Sequence, residues 1–207
     1  MVAQLGKSPG VFFTRVERMY RHDIAEFRPE HGNHLIFRKT YKEKPDPVRV
    51  VFFGGQWVDL EWFIDVLGVP KEHLGSLCEG FTGFRGDISK IARYLGLGGW
   101  LDEQKFSTSN EDKALIREAI QGKFYGSLMG VHGRAQLNRR IRQVDPSYNE
   151  KSENITREDV ANILRVFEMF CRKEIPEDDR WDLANRRVRL VDDFLADAID
   201  HWCQWMD

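Results

Sequence analysis

Four arginines and no acid stand between Arg134 and Arg142, in the segment GVHGRAQLNRRIRQV at residues 130–144. A guanidinium is planar, permanently charged and offers forked donors, so arginines at this density suit phosphate oxygens. Helical spacing puts Leu137, Ile141 and Val144 on one arc, with Arg134, Arg139, Arg140 and Arg142 spread around the rest. The preceding GKFYGSLMGVHG adds Lys123, Phe124, Tyr125 and His132. Aromatics beside arginines can stack on unpaired bases. Lys123, Arg134, Arg139, Arg140 and Arg142 are therefore the candidate nucleic-acid contacts, acting by charge neutralisation and backbone tracking with little base reading. The competing explanations are a protein partner on the same surface, or plain solvation with pairing to some of the chain's 33 acids. Two further basic clusters stand at Arg38/Lys39/Lys42/Lys44 and Arg186/Arg187/Arg189; Asp182, Asp192 and Asp193 lie close to the second and offset it. The glycines of GKFYGSLMGVHG lack the GxxxxGK[ST] order of a nucleotide loop, so flexible backbone or close helix packing explains them.

A second constellation is HDIAEFRPEHGNH, with His22, Asp23, Glu26, Glu30, His31 and His34. Imidazole and carboxylate together suit Zn, Mn or Fe, and a nearby Lys39 or Lys42 would complete a metal-dependent nuclease. The residues surround a proline–glycine turn without diagnostic spacing, so solvated loop residues are the simpler explanation, and no metal ligand, catalytic residue or cofactor is assigned. Glu174, Glu177, Asp197 and Asp200 resemble the ExxE…ExxD carboxylates of all-α nucleotide pyrophosphatases. The first pair brackets Pro176, however, and Asp197 stands where that pattern has Glu. Acids at the start of a helix account for Glu177, Asp178 and Asp179. Ala92 and Gly96 have helix-turn-helix spacing, but the following GGWLDEQKF is glycine-rich and acidic where a DNA-reading helix would be basic. No GxSxG occurs, and Cys78, Cys171 and Cys203 are far apart with no CxxC.

Four tryptophans cluster in GGQWVDLEWF and HWCQWMD. Trp62 and Trp202 fit apolar stripes, whereas Trp57 and Trp205 fall off them and are the candidate partner-binding residues.

The elements that must position these groups follow from periodicity. VFFTRVERMY and HLIFRKTY alternate, and PVRVVFF is a β-branched and aromatic run, so residues 1–55 read as strands joined by turns. WVDLEWFIDVLG then reads as a helix burying Leu60, Phe63, Ile64 and Leu67 and capped at Gly68. Further helices are expected in VPKEHLGSLCEG, in GDISKIARYLG, and from Thr108 to a stop at Gly122. The last two are ITREDVANILRVFEMFCRKE and a long helix from Asp178 to the C-terminus. The fold class expected is α+β: a small N-terminal antiparallel β-sheet, then a predominantly α-helical body ending in two long amphipathic helices. The polar segment VDPSYNEKSEN (144–154) divides a mixed part, 1–143, from a C-terminal helical hairpin, 155–207, unless the 207 residues form one domain.

Lysine plus arginine number 31 against 33 acids, so the formal net charge of −2 points to no polyanion and any electrostatic site is local. No apolar run of about 18 residues and no signal-peptide core occurs, so no membrane span is expected and the setting is read as intracellular and cytoplasmic. The leading expectation is a non-catalytic nucleic-acid-binding or regulatory protein. The alternative is a protein–protein interaction or inhibitor module using the same arginines and exposed aromatics, with self-association through the C-terminal helix. The third is a metal-dependent nuclease or nucleotide hydrolase.

Overall fold

The computed structural model describes residues 4–17, 20–30, 34–41, 48–51, 57–70, 77, 110–125, 128–179, 182, 185–189, 195 and 199. A short strand β1 (Gln4–Lys7) precedes five that form an antiparallel meander: β2 (Gly10–Glu17), β3 (Arg21–Arg28), β4 (Leu35–Thr40), β5 (Val48–Val51) and β6 (Trp57–Asp59). The helices are α1 (Leu60–Leu67), α2 (Asn110–Tyr125), α3 (Gly130–Ile141) and α4 (Arg157–Cys171). Strand β7 (Arg186–Arg189) pairs antiparallel with β1 in a separate two-stranded sheet. An N-terminal antiparallel sheet with helices after it agrees with the α+β expectation.

Strand alternation sorts the sheet into two faces. Phe13, Ala25, Phe37, Val50 and Val58 lie opposite one another across all five strands and are fully buried. They meet the apolar faces of the helices. Phe13 packs on Phe167 and Phe170 of α4, with ring centroids 6.3 and 5.5 Å away. Phe63 of α1 and Phe124 of α2 are 5.7 Å apart and edge-on, close to Phe37 and Phe27. Each such ring contributes on the order of 1.5–3 kcal/mol by leaving water. One buried cluster thus runs from Val11 of β2 to Ile175 beyond α4.

Helix α1 buries Leu60, Phe63, Ile64 and Leu67 as its spacing predicts, and Gly68 ends it in the left-handed conformation at φ 70°. Helix α4 buries Val160, Ile163, Leu164, Phe167 and Phe170. Its start is fixed by a capping box, in which Thr156 accepts from the Asp159 amide and Asp159 accepts from the Thr156 amide.

Other expectations are corrected. The His22–His34 constellation, expected as solvated loop around a proline–glycine turn, begins in strand β3; Asp23, Ala25 and Phe27 alternate there with His22, Ile24 and Glu26. Trp57–Asp59 is strand, so α1 begins only at Leu60. Helix α2 passes through Gly122 to Tyr125, because Ile120 and Phe124 are buried on either side of that glycine and hold the turn. The unbroken helix expected from Asp178 is interrupted by β7, where pairing with β1 overrides the local helical pattern. The helix expected at 87–96, and most of 70–80 and of 190–207, lie outside the described residues.

Candidate functional site

Helix α3 contains the arginine segment. It lies along β2 and against α4 because its inward face is apolar and small: Gly133, Leu137 and Ile141 are buried. At Gly133 an added Cβ would lie 3.0 Å from the Pro9 side chain and 3.4 Å from the Gly10 amide nitrogen, so glycine favours the close approach of the helix to the start of β2. Leu137 and Ile141 are fully buried and Val144 is half-buried, as the arc predicts.

The arginines do not share one surface. Arg134 stands three residues before Leu137 and seven before Ile141, which places it on the inward face. Its side chain is 6% exposed. Its two terminal nitrogens donate to the two Asp159 oxygens at 2.6 and 2.9 Å, and one also donates to the Asn154 carbonyl. Tyr148 donates to the same carboxylate at 2.9 Å, so the guanidinium is enclosed and both of its terminal nitrogens are engaged. Burial and Asp159 raise the Tyr148 hydroxyl well above its ordinary value and keep it a donor.

Arg140 pairs with Asp178 and lies over the Phe13 ring, 5.7 Å from the centroid, with 12% of its side chain exposed. Burial, then the charge of Arg139, pushes it down to about 10, still protonated at neutral pH. Arg142 is exposed but donates to the Tyr148 carbonyl and to Asn149 Oδ1, bracing the 144–154 loop. Arg139 is exposed and makes no hydrogen bond or ion pair among the described residues. Lys123 is in the last turn of α2, and its side chain lies outside the described residues.

The outward stripe of α3 has a different composition. Val131, Ala135, Arg139 and Arg142 recur at helical spacing and all are exposed. Val131 is 71% exposed, and Leu128, just before the helix, is 50% exposed. The stripe therefore joins an apolar end to a basic end. Val131 lies off the Leu137/Ile141 arc, and that offset was the available sequence signal. Asp159 and Asp178 carried none, since their pairing depends on how distant segments pack.

The chain matches no protein-family model and no curated protein. The geometry of its own residues is therefore the basis for any functional assignment.

Trp57 is half-buried on the sheet face away from the core, with the Arg49 guanidinium carbon 4.2 Å from its ring centroid. Trp205 lies outside the described residues. The histidine and carboxylate constellation is divided by strand alternation. Asp23 points to the core face, with Arg15, Arg21 and Tyr41. His22 bonds Thr40 and Glu26 bonds His34 on the opposite face. His31 is outside the described residues. Among the described residues no three His, Cys, Asp or Glu side chains gather as a metal site, and no helix is long and apolar enough to cross a membrane.

Proposed function

We propose that this protein is a non-catalytic interaction module that docks an acidic, amphipathic helical segment of a protein partner on the outward stripe of α3. The observation that carries this is the exposure of Val131 and Leu128 at one end of the stripe, with Arg139 and Arg142 at the other. Large exposed aliphatic side chains on one stripe with the unengaged charge of Arg139 match a partner with an apolar anchor followed by a carboxylate. A phosphate backbone offers nothing to Val131 or Leu128. Arg134 and Arg140 are turned inward and paired with Asp159 and Asp178, so among the described arginines of the segment a phosphate backbone meets Arg139 and Arg142, and Arg142 is already tied to the loop.

The test is fluorescence anisotropy with a labelled leucine/glutamate amphipathic peptide and with single- and double-stranded 20-mer oligonucleotides. Wild type is compared with Val131→Asp and Arg139→Glu. Peptide binding weakened by each substitution supports the proposal. Oligonucleotide binding that Arg139→Glu removes and Val131→Asp leaves intact would return the helix to nucleic-acid recognition. Peptide binding indifferent to both substitutions, or no binding at low salt, overturns the docking stripe.

A further inference from the structure

Five large apolar side chains are exposed among the described residues, and four of them stand in two pairs. Leu128 and Val131 form the apolar end of the α3 stripe. Leu195 and Ile199 are 57% and 61% exposed. Both are helical and they stand four residues apart, the spacing of one helix face. Single exposed apolar residues are ordinary on a protein surface, whereas a pair on one helix face is the usual anchor of helix docking.

The two pairs belong to oppositely charged segments. Residues 128–142 contain four arginines and no acid, and residues 190–207 contain five aspartates and no lysine or arginine. Arg134 and Arg140 are paired inward, so Arg139 is the outward charge next along the stripe from Val131. The C-terminal segment thus has the composition that the stripe asks of its partner, with apolar anchors and carboxylates on one short helical stretch.

We infer that the partner of α3 is a second copy of this chain, which presents the helical face of Leu195 and Ile199 to the stripe. The inference rests on the docking reading above and names its partner. Both pairs are exposed on the same chain, so neither covers the other within it, and a second copy brings them together. The sequence spacings fit an antiparallel arrangement. Val131, Ala135 and Arg139 recur every four residues, and Ile199, Leu195 and Asp192 recur at four and three. Ile199 then meets Val131, Leu195 covers the small Ala135, and Asp192 comes opposite Arg139. Along the helix axis the first series spans about 12 Å and the second about 10 Å, at about 1.5 Å per residue. Each copy carries both surfaces, so the contact forms twice in a dimer with two-fold symmetry.

The test is sedimentation velocity of the full chain. Wild type should form dimers at micromolar concentration and low salt, and dissociate as salt rises. Val131→Asp and Leu195→Asp each alter an exposed side chain, so the fold should persist, and each should raise the dimer dissociation constant about tenfold or more. At a concentration where neither variant associates alone, an equimolar mixture of the two should associate, because one intact stripe and one intact C-terminal face remain between them. Loss of association in one variant but not the other, or a mixture no more associated than its components, would overturn the inference. A monomeric wild type would overturn it as well, and the leucine/glutamate peptide then separates the two readings. Peptide binding that Val131→Asp weakens keeps the docking stripe for a different partner, and absence of peptide binding removes both.

Discussion

Asp178 engages Phe13 twice. Its amide donates to the Phe13 carbonyl at 2.8 Å, and its carboxylate accepts from the Phe13 amide at 2.6 Å. A single residue therefore does for the edge of β2 what a neighbouring strand would do. Gln136 of α3 repeats the device one pair earlier, accepting from the Val11 amide and donating to the Val11 carbonyl. Glu177 accepts from the Arg15 amide. The outward amides at 11, 13 and 15 are thereby all satisfied, which closes an edge that would otherwise recruit another chain. Gln136→Ala should cost about 1–2 kcal/mol in urea denaturation. The double variant Gln136→Ala/Asp178→Ala should also form larger assemblies than wild type in sedimentation velocity. A double variant that assembles no further than wild type would show that these contacts do not guard the edge.

Asp23 sets the acid limit of the fold. It is fully buried and accepts from Arg15 at 2.7 Å, from Arg21 at 2.6 Å and from Tyr41 at 2.7 Å. The two arginines also donate to the Phe170 and Cys171 carbonyls, tying the sheet to the C-terminus of α4. Burial pushes the Asp23 carboxyl up, but the bonds from Arg21, Arg15 and Tyr41 outweigh it and hold the group below its ordinary range. A folded-state value below the unfolded value of about 3.9 gives stability that is complete above that pH and is lost as pH falls through the folded value. Glu26 follows the same sign: burial raises it, and His34, Arg28 and Lys7 bring it well below the usual range. Stability should therefore decline below about pH 4. Asp23→Asn should lose about 3 kcal/mol at neutral pH and show a shallower acid limb. An unchanged acid limb in Asp23→Asn would remove Asp23 from this account.

Gly130 starts α3 at φ 63°, and an added Cβ would run into the Glu30 carboxylate. The neighbouring backbone is fixed by the Glu30 amide donating to Leu128 and the Met129 amide donating to Glu153, both at 2.8 Å. Gly130→Ala should cost about 1–3 kcal/mol by thermal unfolding. Gly122→Ala, in α2 with open space around it, should be neutral or stabilise by up to about 1 kcal/mol. Equal effects at the two glycines would contradict the assigned geometry.

Much of the sheet was legible because alternation in β2 and β4 is strong, and α1 and α4 show full helical stripes. Strand β3 was hidden by its charges. Its residues Asp23, Glu26 and Arg28 look solvated in sequence, yet each is paired across the strand or with a neighbour. Strand β7 was hidden because RRVR has no strand pattern of its own and takes its structure from β1. In the candidate site, the apolar face of α3 was readable from Leu137 and Ile141. Arg134 was misplaced among the outward arginines, although its spacing from those two residues already put it inside. The partners that neutralise Arg134 and Arg140 lie 25 and 38 residues away in sequence, beyond the reach of any local pattern.

The two sides of α3 can be compared directly by urea denaturation of Arg134→Met and Arg139→Met beside wild type. Arg134→Met leaves Asp159 buried without its cation and should lose about 3 kcal/mol or more. Arg139→Met removes an exposed group and should stay within about 0.5 kcal/mol of wild type. That contrast is what a helix with a structural inner face and a free outer face requires. Losses of similar size for the two variants, or a neutral Arg134→Met, would contradict it.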